Sequence, residues 1–259
     1  MRLLFIRHGE PNYEKDCLLE SGKREAEALA AAIKKYNIDH IYCSPLGRAK
    51  ETCAIASADL GLPVSYMDWL QEFPARVDIG QAPNDLANAY DEIDIENGKC
   101  IPWDMKPTYI GKHPEYMDPI DWKNSELIPC SDMMEKYADA INGIDRLLSD
   151  HGYEKDQSYT GEPVYLAKDS NKDTIAIFCH FGVTCVLLSH LLNISPFALW
   201  HGTISLASSV TELVTEEREK GIAKWRMLRF GDTSHLDLAG VNPAFAGRFA
   251  ETFDSPERH

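Results

Sequence analysis

No stretch of this 259-residue chain approaches the ~18 consecutive apolar residues that a membrane span needs, so nothing in it reads as a transmembrane helix. The first apolar run, Leu3 to Ile6, is too short for a secretory signal and carries no small-residue cleavage pattern behind it. Positive charge is scarce. The chain has 26 Lys and Arg against 41 Asp and Glu, a net charge of -15, which argues against a general nucleic-acid or anionic-membrane partner. Paired CxxC spacing is missing as well. The seven cysteines, an odd number, read as buried thiols of a reducing cytoplasm rather than a disulfide framework or a zinc site. Neither CxxC nor HExxH spacing occurs, so no metal site is expected, and no internal repeat is visible.

What is present is a pattern of strands alternating with helices. Leu3 to Ile6 reads as a buried strand, followed by the polar triplet Arg7-His8-Gly9. Ser21 is placed to cap a helix whose buried stripe is Ala26, Leu29, Ala30 and Ile33. Ile38 to Cys43 reads as a second strand. Ser44-Pro45 then gives a helix start with Ser44 as the cap, which puts Arg48 in the first turn. An arginine there gains nothing from the helix dipole, so its placement hints at a bound anion. A third strand, Val64 to Met67, leads to Glu72.

From about residue 73 to residue 130 the regular pattern stops. Seven of the chain's 14 prolines fall there, together with Tyr90, Trp103, Tyr109, Tyr116 and Trp122. The stretch is too apolar for disorder and too long for a simple loop, so it reads as an inserted, lid-like subdomain. A helix is expected from Ser131 or Asp132 to Leu148, then an exposed polar excursion from Asp150 to Asp173. Thr174 to Cys179 is the clearest buried strand, and it runs straight into His180. An apolar helix to Leu192 follows, then a turn of helix from Ser195 to Trp200. Residues 204–213 and 225–230 suit a hairpin, and beyond Asp232 only irregular structure and a short final helix are expected. The fold class is α/β: a three-layer α/β/α sandwich with a mainly parallel sheet, forming one domain over residues 1–259.

Arg7, His8, Arg48 and His180 share one address, each directly after a strand's carboxyl end or within one helical turn of it. In an open α/β sheet that is the crevice where ligands bind. Two guanidiniums suit a tetrahedral oxyanion, and two imidazoles offer a nucleophile and a further donor. Such a pocket wants a phosphoryl group. Asn12, in the loop after the triplet, reads equally well as a phosphate contact or as an Asx-turn beside Pro11. His113 and His201 are further pocket candidates.

Arg7-His8-Gly9-Glu10, the stretch Ser44-Pro45-Leu46-Gly47-Arg48-Ala49-Lys50-Glu51-Thr52, and a strand ending in His180 resemble the histidine phosphatase superfamily, in its phosphoglycerate-mutase-like branch. The resemblance covers roughly residues 1–72 and 131–230. It implies that His8 attacks phosphorus and becomes phosphohistidine, while Arg7, Arg48 and His180 hold the phosphoryl oxygens. Backbone N–H groups after His180 would add donors. Glu72 would protonate the leaving oxygen and then activate water. No cofactor is implied. Phe181 after His180 departs from the mutase pattern, and residues 73–130 show no second basic cluster. The expectation is therefore a phosphatase acting on a small phosphorylated metabolite in the cytoplasm, rather than a mutase-type phosphotransferase. A phosphate-binding regulatory protein without turnover is the alternative of another class, and the presence of Glu72 speaks against it.

Overall fold

Leu3, Leu4, Phe5 and Ile6 are all buried because strand β1 (Arg2–Arg7) lies inside a sheet covered on both faces. The structure, a computed structural model, describes residues 1–244, with only the backbone of Ile93. Residues beyond Ala244, including the end of the expected irregular tail, lie outside the described residues. Along the chain, β1 is followed by α1 (Glu20–Ile33), β2 (His40–Cys43), α2 (Gly47–Ala56) and β3 (Val64–Tyr66). After the long segment come α3 (Met133–Asp150), β4 (Tyr153–Lys155), β5 (Tyr165–Ala167), β6 (Thr174–Cys179) and α4 (Phe181–Leu192). The described residues end with α5 (Pro196–Gly202), the strands β7 (Val210–Glu219) and β8 (Ile222–Asp232), and α6 (Ser234–Ala239). Among the described residues no helix is long and apolar enough to cross a membrane.

The eight strands lie in the order β3-β2-β6-β1-β7-β8-β5-β4. Three pairings are parallel and four are antiparallel, which corrects the expectation of a mainly parallel sheet. The parallel half is β3, β2, β6 and β1. Its partner half begins with the β7–β8 hairpin, whose tight turn at Gly221 (φ 77°) can only join antiparallel strands. The polar stretch after Asp150, expected as a plain excursion, supplies β4 and β5 at the sheet edge.

Successive side chains of a strand point to opposite faces, and both faces are packed. Leu3, Phe5, Ile175 and Ile177 join Ile144 and Leu148 of α3 and Val186 and Leu187 of α4. Leu4, Ile6, Ala176 and Phe178 meet Leu29 and Ile33 of α1 and Ala49 and Cys53 of α2 on the other face. Each fully buried side chain of this size contributes roughly 1.5–3 kcal/mol.

Residues 73–130 hold short helices, among them Asn84–Ala87 and Pro107–Ile110, and a two-residue ladder between Val77–Asp78 and Lys99–Cys100. Tyr116, Trp122 and Leu127 are fully buried within the same core as α3 and α4. The Tyr116 ring meets Phe197 at 4.8 Å and the Trp122 ring meets Tyr137 at 5.1 Å. Most aromatics of this segment thus fasten it to the domain.

Candidate active site

The pocket begins with the register of two neighbouring parallel strands. Arg7 pairs with Cys179, so β1 and β6 end level and His8 and His180 emerge side by side. Their ring centroids are 5.0 Å apart. His8 N–H donates to Cys179 O at 3.1 Å, and Ser44 N–H donates to Phe178 O at 2.8 Å. Three strand ends therefore meet at one edge.

Close backbone contacts fix the loop after His8. A Cβ on Gly9 would stand 2.6 Å from Gly22 O, and one on Gly22 would stand 2.3 Å from Glu10 O. Only a pair of glycines lets α1 lie this close to the loop. Gly9 N–H also donates to Thr52 Oγ1 (2.9 Å), whose hydroxyl donates to Arg48 O (2.8 Å). Thr52 thereby ties the His8 loop to α2. Arg48 donates through Nη1 to Asp16 Oδ1 at 2.7 Å, and Gly47 N–H donates to Asp16 Oδ2 at 2.6 Å. Partial burial pushes the Asp16 carboxyl up, but the hydrogen bonds from Gly47 and Arg48 outweigh it and hold the group below the usual range.

Both imidazoles are buried and held neutral. Burial first, then the Arg7 and Arg48 charges, keep His8 well below the ordinary histidine range. For His180 the causes are burial, then His8 and the two arginines. His8 Nδ1 lies 2.7 Å from Gly9 O, an acceptor, so Nδ1 carries the proton and Nε2 holds a free lone pair. His180 Nε2 lies 2.8 Å from Ser44 Oγ, which itself accepts Leu46 N–H at 3.3 Å. Among the buried nitrogens that make no hydrogen bond are three of this pocket, Arg7 Nε, Arg48 Nε and His180 Nδ1. Buried polar atoms are rarely left unpaired. These three belong to the residues that surround His8.

Glu72 accepts Phe73 N–H (2.8 Å) and Val183 N–H (3.0 Å) through Oε1, which seats it on the first turn of α4 just past His180. Val183 N–H, expected among the anion's donors, is thus taken by a carboxylate. A Cβ on Gly182 would stand 2.6 Å from Glu72 Oε1 and 2.6 Å from the Trp103 ring. Trp103, which also meets Trp200 at 4.9 Å, is the aromatic by which the 73–130 segment reaches the pocket.

The structure thus brings Arg7, His8, Arg48 and His180 together, with Glu72 beside them. Asn12 Oδ1 accepts Lys15 N–H at 3.1 Å, the turn-forming use. His113 stacks on Tyr109 at 4.1 Å and bonds Glu115, while Nε2 of the half-buried His201 makes no hydrogen bond. Sequence reasoning missed Tyr13. It is 60 % exposed, with its ring 6.4 Å from His8 and 5.4 Å from the Arg48 guanidinium carbon. Ser44 was visible in the motif but expected as a cap. In fact α2 starts at Gly47 without a side-chain cap, which frees Ser44 for His180.

Fold and pocket define an α/β protein with a basic, partly unpaired site around an unprotonated imidazole. Residues 3–107 match the sequence model of the histidine phosphatase superfamily (branch 1). Over that stretch the chain is similar to that superfamily, whose enzymes use a histidine nucleophile. It is similar to a probable phosphatase of Schizosaccharomyces pombe, with 23% identity over 253 residues, covering 92% of this chain and 96% of the relative. Its fold is similar to a phosphoserine phosphatase from Entamoeba histolytica solved with phosphoserine (TM-score 0.56, 18% identity, 91% of this chain and 98% of that one). It is likewise similar to a mycobacterial glucosyl-3-phosphoglycerate phosphatase solved with inorganic phosphate (TM-score 0.56, 18% identity, 90% and 98%).

Proposed function

We propose that this chain is a phosphomonoesterase that hydrolyses a small phosphorylated metabolite through a phosphohistidine on His8. The observation that carries the reading is the set of unpaired buried donors, Arg7 Nε, Arg48 Nε and His180 Nδ1, around a neutral His8. A phosphoryl group supplies the acceptors they lack. His8 Nε2 attacks phosphorus in line, forming the N–P bond as the P–O bond to the leaving group breaks. Arg7, Arg48 and His180 donate to the equatorial oxygens, where charge is spread in the transition state. Glu72 gives its proton to the leaving oxygen, then takes one from the water that attacks the phosphohistidine. That second step releases inorganic phosphate and restores free His8.

Hydrolysis is favoured over phosphoryl return because Lys106, one of four lysines in the 73–130 segment, is committed elsewhere. Lys106 donates to Asn88 O and Tyr90 O and pairs with Asp91, so it is not free for a second phosphate. The segment acts instead as a wall on the leaving-group side, through Trp103. Tyr13 stands beside His8 at the mouth. Two aromatic surfaces favour a leaving group with an apolar or ring-bearing body.

The test is phosphate release from sugar phosphates, nucleotides and aryl phosphates, paired with trapping of labelled phosphate on the protein. Wild type should turn over at least one class and carry an acid-labile label that His8→Ala lacks. A folded wild-type protein that releases no phosphate and takes no label sets the reading aside.

A further inference from the structure

We infer that His40, His151 and Asp173 form a site for one divalent transition-metal ion of the zinc type, at the end of the sheet opposite the phosphoryl pocket. Three chain segments deliver these side chains. His40 opens β2, Asp173 immediately precedes β6, and His151 follows the last residue of α3. One ligand atom from each lies within 4.8 Å of the other two. His40 Nε2 and Asp173 Oδ2 are 3.6 Å apart, too far for a good hydrogen bond. Two ligands each about 2.0 Å from a tetrahedral ion sit roughly 3.3 Å from one another, so this spacing suits a shared ion better than a direct contact.

The two imidazoles stand edge to face, with centroids 4.5 Å apart and an interplanar angle of 65°. Neither histidine is satisfied by the other. Tyr42 lies 2.9 Å through its hydroxyl from His151 Nε2, the kind of outer partner that orients a ligating imidazole. One ring nitrogen of His151 is thus engaged and the other is free.

The donor set selects the ion. Two imidazoles and one carboxylate suit zinc, copper or nickel, whereas magnesium and calcium take oxygen ligands. The His40 and Asp173 side chains are 44% and 39% exposed, so water can fill the remaining position. The six residues of β6 separate Asp173 from His180, about 20 Å of strand. An ion here takes no part in phosphoryl transfer. It would clamp the amino ends of β2 and β6 to the end of α3.

Calorimetric titration of metal-free protein with zinc chloride tests this. His8→Ala serves as the parent, so that the pocket histidine pair cannot compete. The parent should bind one equivalent, with at least about tenfold weaker binding in Tyr42→Phe. Binding at this site should be lost in the His40→Ala/His151→Ala double variant, and magnesium chloride should give no heat. Zinc should also raise the melting temperature of the parent but not of the double variant. Absence of zinc binding, or equal affinity in the double variant, would overturn the assignment. The latter outcome would mark His40 and Asp173 as an ion pair only. Phosphatase activity in a His40→Ala variant with His8 intact should match wild type.

Discussion

At the residue scale, the state of each imidazole follows from what its second nitrogen touches. Ser44 Oγ accepts Leu46 N–H, and if its own proton goes to His180 Nε2 the His180 proton sits on Nδ1, the tautomer that the proposed phosphoryl donor needs. Removing the hydroxyl frees the ring to take the other tautomer, which would present a lone pair to the phosphoryl oxygens. Ser44→Ala should therefore lower kcat by about 10²-fold, the cost of losing one transition-state donor. Nitrogen-15 NMR of His180 should report Nδ1–H in wild type and a mixed population in the variant. An Nε2–H ring in wild type would sink this account and leave the phosphatase reading standing. Glu72 carries a different signature. Glu72→Gln should lose roughly 10²–10⁴-fold on alkyl phosphates and far less on p-nitrophenyl phosphate, whose leaving group needs no proton. Equal losses on both substrates would remove Glu72 from the acid role.

At the element scale, two helical glycines separate function from stability. Gly182 opens α4, and an added Cβ there meets the tips of Glu72 and Trp103. Tips can move, so Gly182→Ala should keep a near wild-type melting temperature while losing tenfold or more in kcat. Gly22 in α1 faces backbone at 2.3 Å, which cannot give way. Helix propensity alone would make Gly22→Ala stabilising by about 1 kcal/mol. The contact reverses that sign, and a loss of roughly 1–3 kcal/mol is expected in urea denaturation. The same contrast explains what the sequence could disclose. β1 and β6 were legible because both faces are buried and their apolar runs are continuous. Arg7, His8, Arg48 and His180 were legible because each follows such a strand. The antiparallel half of the sheet was not, since β4 and β5 are three residues each, too short to show an alternation, and lie in a polar stretch. Ser21 was misjudged for a similar reason: its hydroxyl bonds Glu10 rather than capping α1. A Ser before a helix does not reveal which acceptor its hydroxyl will choose. The cluster of His40, His151 and Asp173 was illegible altogether, because no local spacing joins residues from three segments.

At the scale of the whole molecule, buried histidines set how the fold responds to acid. His8, His180 and His235 all sit below the ordinary value of 6.5, each chiefly through burial, and His235 is pushed down to about 4. A group depressed in the folded state stabilises above its unfolded pKa, and that stability is lost as pH falls toward the folded value. For His235 the window runs from 6.5 down to about 4, worth about 3 kcal/mol across it. Asp104 works the other way. Burial, then Asp94, raise it from 3.8 to about 6, so the fold favours its protonated form and gains stability as pH falls through that range. Three histidines outweigh Asp104 and Glu25, which burial likewise raises, and the net expectation is a melting temperature that falls steadily below pH 6.5. His235 lies 3.0 Å from Ser208 Oγ, and Ser208 N–H donates in turn to His8 O at 3.0 Å. His235→Gln keeps a donor for that bond but cannot titrate. Its melting temperature should therefore fall less steeply than wild type between pH 6.5 and 4. Parallel melting curves for the two proteins across that window would show that His235 is not held neutral by burial.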